Sequence, residues 1–250
     1  TYAQRIQKAM LPFDQNIRKV LPNHFIFWKP RDIVSGDFYW FASVEGEDGK
    51  GSKQVIAAID CTGHGVPGAF MSMVGNDLLN TIVRTEKVTR ASEILNRLHS
   101  GVREALKQDE TRNNDGMDLA LVVIDQEAKI LEYAGAHNPL IYIQNNEFKV
   151  IKGNKNAIGG ANYGKQREFT MHEIDISIPT VFYLFSDGYQ DQFGGPNGKK
   201  FMRRHFWNLL HEIHSLSTLE QKTVLNNKIT DWMGTEHKQI DDILIIGVKV

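Results

Sequence analysis

One cysteine, Cys61, is all the chain has. An internal disulfide framework is thereby excluded, and a reducing compartment fits. No apolar run reaches the roughly 20 residues that span a bilayer, so the sequence reads as soluble, with no membrane contact of its own. There is no charge excess either: 29 basic residues stand against 30 acidic ones in 250. Neither nucleic acid nor an anionic lipid surface is implied as a partner. Internal repeats, low-complexity tracts and a signal peptide are all lacking. The chain opens on Thr1 rather than methionine, which reads as a piece of a longer protein, cytoplasmic here, with any membrane anchor placed upstream. What is present is 41% hydrophobic residues, enough for a substantial core in one large domain or two small ones.

Thr1–Met10 reads as a helix with Ile6 and Met10 on one face, halted by Pro12. Strands are expected at Phe25–Trp28, Phe38–Val44 and Gln54–Ile59, with a polar hairpin loop over Glu45–Lys53. Helices follow over Val66–Arg84 and Ala91–Gln108, the second capped by Thr89 or Ser92. Further strands are expected at Leu119–Ile124, Ile130–Tyr133, Leu140–Ile143, Phe148–Ile151, Phe169–Ile174 and Val181–Phe185. Asn154–Gly164 and Asp187–Lys200 read as loops. Helices at Phe201–His214 and Leu219–Trp232 and a strand at Ile243–Val248 close the chain. Short turns between consecutive strands imply antiparallel pairing. The fold class expected is α+β, a four-layer α-β-β-α sandwich of two mostly antiparallel sheets flanked by helix pairs. Residues 1–20 read as the end of an upstream signalling helix and 21–250 as the catalytic domain.

Acids stand where apolar strands meet loops: Asp37 before Phe38, Asp60 after Ile59, Asp187 after Phe185-Ser186, and Asp241-Asp242 before Ile243. Any one of them could be an ordinary turn former. Gathered at one rim of a sandwich, they would repel one another and raise each other's pKa, and a divalent cation would reverse that. No Cys or His cluster has metal spacing, so an all-oxygen set favours Mg²⁺ or Mn²⁺ over Zn²⁺.

Ser35-Gly36-Asp37-Phe38-Tyr39-Trp40, Asp60-Cys61-Thr62-Gly63-His64-Gly65-Val66-Pro67-Gly68-Ala69, Phe185-Ser186-Asp187-Gly188 and Asp241-Asp242-Ile243, in that order, resemble the metal-dependent Ser/Thr protein phosphatases of the PPM family. The nearest branch is the bacterial SpoIIE type, which includes the Rsb stress-response phosphatases. Ala134-Gly135-Ala136-His137-Asn138-Pro139-Leu140, Ala157-Ile158-Gly159-Gly160 and the linker-like Tyr2–Pro12 stretch are similar to that branch as well. The resemblance implies that Asp60 bridges two metal ions. It implies that the Cys61 carbonyl helps hold the second, that Asp187 and Asp241 complete the first, and that Asp37 binds the second partly through water. Asp242 would support rather than ligate. Asp115 or Asp118 could serve a third ion, although capping a loop or closing a turn is the favoured role of each. The implied reaction is one-step hydrolysis of phosphoserine or phosphothreonine by a hydroxide bridging the two ions. The implied substrate is a bacterial phosphoprotein such as a STAS-domain anti-anti-sigma factor. A sensor upstream and a homodimer through the first helix are implied too.

His64 is read either as a general acid or as a turn histidine at the rim, and Arg31, six residues before Asp37, as the candidate phosphate contact. Phe70, Met71 and Met73 read as core, His137 as bonding within its own turn, and His205, His211 and His214 as a solvated helix face. Two alternatives stand beside the phosphatase: an inactive phosphatase-like module that binds a partner, and a dinucleotide-binding oxidoreductase suggested by Gly63-x-Gly65-x-x-Gly68.

Overall fold

Period-two alternation builds the centre of the molecule. The computed structural model describes residues 2–45, 51–160 and 167–250. In the strand Gly116–Asp125, Leu119, Leu121 and Val123 pack to one side while Ala120, Val122 and Ile124 pack to the other. Successive strand residues face opposite ways, so a run that is apolar at every position must be covered on both faces. The same holds for Ser52–Cys61, where Val55, Ala57 and Ile59 face one way and Ile56 and Ala58 the other. These strands are therefore interior to a layered sandwich.

The elements run in the order α1 (Tyr2–Met10), α2 (Asp14–Arg18), β1 (His24–Lys29), β2 (Phe38–Glu45), β3 (Ser52–Cys61), α3 (Gly65–Leu79), α4 (Ala91–Ala105), β4 (Gly116–Asp125), β5 (Ile130–Ala136), β6 (Leu140–Gln144), β7 (Glu147–Ile151) and β8 (Ile158–Gly159). Then come β9 (His172–Asp175), β10 (Thr180–Phe185), α5 (Gly188–Asp191), β11 (Phe193–Gly194), β12 (Lys199–Lys200), α6 (Arg203–Ile213), α7 (Thr218–Met233) and β13 (Ile243–Lys249). One sheet has the order β1-β13-β10-β6-β7 and the other β2-β3-β4-β5-β9, with β8 on β4. Every strand pair is antiparallel. Three apolar clusters separate the layers: one under α3 and α4, one between the sheets, one under α6 and α7. The α-β-β-α sandwich is thus the observed fold. β3 and β4 are antiparallel neighbours, so the glycine turn after β3 opens no βαβ unit and the dinucleotide reading loses its scaffold.

Several local expectations are corrected. The strand expected at Phe169–Ile174 begins only at His172, because side chains take the earlier N–H groups: Phe169 donates to Asn96 Oδ1 (3.0 Å) and Thr170 to Asn154 Oδ1 (2.9 Å). Asp187–Lys200 is not all loop, since it holds α5 and the β11–β12 hairpin. α3 runs on into a π-helical turn over Asn80–Thr85. Helical spacing turns Gly68, Met71, Ser72, Gly75 and Leu79 inward, which leaves Phe70 and Met73 exposed rather than in the core. α1 buries Gln7 and leaves Ile6 exposed. The Gln7 amide donates to the Ser35 carbonyl (2.6 Å) and accepts from the Ser35 N–H (3.0 Å), so this first segment is docked on the domain. Of the loop expected over Glu45–Lys53, Glu45 and Ser52–Lys53 are strand residues and 46–50 lie outside the described residues, as do 161–164 of the Asn154–Gly164 loop.

Neither Thr89 nor Ser92 caps α4. The Ala91 N–H instead donates to Glu132 Oε2 of β5 (2.9 Å), so a strand carboxylate completes the helix N-terminus. Glu132→Ala is expected to lower stability by about 1 kcal/mol, measured by urea denaturation, and Glu132→Gln to recover part of it.

Candidate metal centre

Strand register delivers the acids. β3 pairs with β4 so that Asp60 lies directly opposite Asp118. β2 pairs with β3 as Phe38↔Ile59, which carries Asp37 to the level of Asp60 on the other side. Three carboxylates thus stand in a row across three neighbouring strands. Like charges opposite each other in a sheet destabilise it. Alternation aims Asp60, beyond Ile56 and Ala58, and Asp118, before Ala120 and Val122, toward the space between the sheets. From the other sheet, Asp187 follows β10 and Asp241 precedes β13, and those two strands pair antiparallel. Asp37, Asp60, Asp118, Asp187 and Asp241 line one cavity of about 280 Å³, with Cys61 and His64 at its wall.

Backbone packing holds this edge together. A Cβ on Gly68 would lie 2.2 Å from the Gly63 carbonyl oxygen and 2.8 Å from Gly36 Cα. Only glycine lets the turn after Asp60 touch the loop before Asp37. Thr62 clamps the same turn to β4, its hydroxyl donating to the Gly116 carbonyl (3.0 Å) and accepting from the Gly116 N–H (3.0 Å). Asp242 is 2% exposed and its carboxylate accepts from the Arg31 N–H (2.7 Å) and the Gly36 N–H (2.8 Å). It fixes the loop that presents Asp37, and it is not among the residues that line the cavity.

The electrostatics follow. Burial, then the charge of Asp60, holds the Asp37 carboxyl well above the usual carboxylate range. Burial followed by Asp187, Asp241 and Asp118 does the same to Asp60. Asp187 is pushed up to about 6 by burial and by Asp241. Burial raises Asp118 and Asp241 as well. Asp37 Oδ2 is buried with no hydrogen-bond partner among the described residues. A buried carboxylate oxygen left unpaired is costly, and a cation would remove that cost. Among the described residues no three His, Cys, Asp or Glu side chains already converge as a closed cage. Hydrated Mg²⁺ or Mn²⁺ needs none, since such ions keep several waters and take one or two carboxylates directly. An open cavity ringed by separate carboxylates fits them.

The structure brings Asp37, Asp60, Cys61, Asp187, Asp241 and His64 together at one cavity. The Cys61 thiol is buried in the core under α3 and α4, with burial raising its pKa. Arg31 is apart: its Nη1 donates to the Ile240 carbonyl (3.0 Å) and it lines a neighbouring cavity with Lys238 and Gln239. Asp118 is not a turn former but a strand residue facing the cavity, while Asp115 does order its loop, accepting from Asn113 Nδ2 (3.0 Å). Asp191 is an ion-pair partner of Lys200 (2.8 Å). The backbone N–H of His137 donates to the Asn154 carbonyl (2.8 Å). His205, His211 and His214 each bond a backbone carbonyl through one ring nitrogen. Asp32 was missed: its Oδ2 lies 3.0 Å from His64 Nδ1.

Comparison with known proteins agrees with this geometry. The family model described as Stage II sporulation protein E (SpoIIE) matches residues 50–250. The SiaA-PP2C domain of Pseudomonas aeruginosa is 33% identical, over 100% of this chain and 94% of that one, with a TM-score of 0.86. The PP2C phosphatase domain of SpoIIE from Bacillus subtilis, solved with a fragment of its regulatory domain, is 16% identical over 91% of this chain and 63% of that one, with a TM-score of 0.65. The catalytic domain of the serine threonine protein phosphatase PstP, solved with two manganese ions, is 13% identical over 91% of this chain and 97% of that one, with a TM-score of 0.60. The last two likenesses speak for the fold alone. No curated protein matches the chain.

Proposed function

The chain belongs to the SpoIIE family of PP2C-type phosphatase domains, and from that premise we propose that it hydrolyses phosphoserine or phosphothreonine on a protein with the help of divalent metal ions. The observation that carries the reading is the cross-strand row of Asp37, Asp60 and Asp118 facing Asp187 and Asp241 across one cavity. Such a row is tolerable only where protons or cations neutralise it. Asp60, Asp37, Asp187, Asp241 and the Cys61 carbonyl would hold two ions, Mn²⁺ or Mg²⁺, and Asp118 is the candidate for a third. When bound, such ions supply a nucleophilic water at neutral pH and neutralise the phosphoryl oxygens. The chain's own part is to orient. The Asp242 clamp and the Gly36–Gly68 contact fix Asp37 and Asp60, and the sandwich edge excludes all but a small group. His64, at the wall, is placed to give a proton to the departing seryl or threonyl oxygen. Arg31, whose Nη1 binds the Ile240 carbonyl, keeps further guanidinium N–H groups that could meet a phosphate.

The natural substrate we propose is a bacterial signalling phosphoprotein, a STAS-domain anti-anti-sigma factor being the leading candidate, on the strength of the likeness to SpoIIE. Control would come from an upstream sensor through α1, whose exposed Tyr2 and Ile6 offer a face for a homodimer. A cytoplasmic location accords with the single, buried cysteine. The test is phosphate release from p-nitrophenyl phosphate and from a phosphoserine peptide, with and without Mn²⁺. Activity is expected only with metal, and Asp187→Asn is expected to lower it by about 100-fold or more. Metal-independent turnover, or an unaffected Asp187→Asn, would overturn the reading.

A further inference from the structure

His64 stands between two hydrogen-bonding environments. His64 lines the acid cavity, and its Nδ1 lies 3.0 Å from Oδ2 of Asp32, which is not among the cavity's lining residues. Asp32 is exposed, its side chain 43% accessible and that of His64 51%, but its backbone is held. It sits in the loop whose Arg31 and Gly36 N–H groups are both bound by the buried Asp242 carboxylate, so its backbone is pinned on either side. On the His64 side, the turn is pinned by the Thr62–Gly116 pair and by the backbone contact at Gly68. The one cation near Asp32 among its described contacts, Arg31 Nε at 3.9 Å, is too far for a hydrogen bond, and the Arg31 Nη1 is spent on the Ile240 carbonyl. Asp32 therefore has its short contact with the imidazole.

We propose that Asp32 is a positioning residue for His64: it accepts from Nδ1–H, fixes that tautomer and ring orientation, and leaves Nε2 to carry the proton delivered to the leaving group. The inference rests on the phosphatase reading of the cavity. A carboxylate that holds the far nitrogen of a catalytic imidazole sets which nitrogen carries the mobile proton and stabilises the charged ring. The step balances as follows. The phosphorus–seryl oxygen bond breaks, and the seryl oxygen takes the Nε2 proton and leaves as an alcohol. Water gives its oxygen and one proton to the phosphate, and its second proton restores the imidazolium. The Nδ1–H stays on Asp32 throughout. An alkoxide is a poor leaving group and needs that proton, whereas p-nitrophenolate departs without it.

The discriminating measurement is therefore the leaving-group dependence of Asp32→Asn, assayed with Mn²⁺ on a phosphoserine peptide and on p-nitrophenyl phosphate. For the peptide, kcat is expected to fall about 10- to 100-fold with KM little changed. For the nitrophenyl ester the fall should stay below about threefold. Asp32→Glu should recover part of the peptide activity, and Asp32→Asn combined with His64→Ala should be no worse than His64→Ala alone. In the metal-free protein, nitrogen NMR of the His64 ring should show a proton on Nδ1 that Asp32→Asn redistributes. Equal losses on both substrates, additive losses in the double variant, or an unchanged ring tautomer would overturn the proposal. Should the unaltered protein turn over neither substrate, the phosphatase reading itself fails. An active protein with an indifferent Asp32→Asn sinks the positioning role alone.

Discussion

Asp60→Asn is expected to abolish the proposed metal-dependent phosphate release, by at least about 1,000-fold, and at the same time to make the metal-free protein more stable. The two effects have one cause. Asp60 stands directly opposite Asp118 in the β3–β4 ladder and at the level of Asp37 on β2, inside a cavity that Asp187 and Asp241 also line. With metal present, its carboxylate would be a ligand, and an amide is a far weaker ligand for a hard cation. Without metal, the same carboxylate is the most crowded negative charge in the cavity, with burial and three acid neighbours opposing its ionisation. An asparagine there removes the charge and can donate a hydrogen bond to a neighbouring carboxylate. Each kcal/mol relieved should raise the metal-free melting temperature by about 2–4 °C. Steady-state assays with Mn²⁺ and thermal denaturation in chelator read the two halves. An Asp60→Asn protein that is inactive and also less stable without metal would mean that Asp60 holds the fold rather than an ion.

How far the sequence foretold this site depends on what each residue's signal is. Asp37, Asp60, Asp187 and Asp241 were legible because each interrupts an apolar strand at its end, and a carboxylate at such an edge needs a reason. The sandwich was legible because strands such as Val55–Ile59 and Leu119–Ile124 are apolar at every position and must be covered on both faces. Asp118 was misjudged for want of register. In sequence it follows a polar loop and looks like a turn residue, and only the pairing of β3 with β4 sets it opposite Asp60. Asp32 carries no sequence signal at all, since its partner is 32 residues away on another element. The same blindness to partners explains the cap of α4, supplied by Glu132 from β5 rather than by Thr89 or Ser92. Phe70 and Met73 misled in the opposite sense. Their apolar character suggested core, yet the phase of α3, set by the close approach at Gly68, turns them to solvent. Local composition reveals which strands are buried and where acids interrupt them. It does not reveal which side chain from a distant element completes a hydrogen bond.

Adding Mn²⁺ should raise the melting temperature markedly at pH 7 and much less at pH 5. The sign follows from Asp187, whose carboxyl is pushed from an ordinary 3.8 up to about 6 by burial and by Asp241. Its folded-state value is raised, so the folded chain holds the proton longer than the unfolded chain does. The stability this gives is fully present below about pH 4 and is lost as the pH climbs through about 6. Asp187 is exposed to solvent, and screening discounts the size of the effect, but its direction stands: the metal-free protein loses stability from this residue between about pH 4 and pH 7. Asp37, Asp60, Asp118 and Asp241 are shifted in the same direction and add to it. A divalent ion reverses the term, because it binds the ionised set and must displace protons at pH 5 that are already gone at pH 7. At 100-fold excess over its Kd one ion contributes about 2.7 kcal/mol, on the order of 5–10 °C for a chain of this size. Thermal denaturation with Mn²⁺ and with chelator, at both pH values, measures this directly. Asp187→Asn should flatten the pH dependence of the metal-free protein and shrink the Mn²⁺ gain. A gain at pH 5 equal to that at pH 7, or no gain at either, would mean that these carboxylates do not share a cation site.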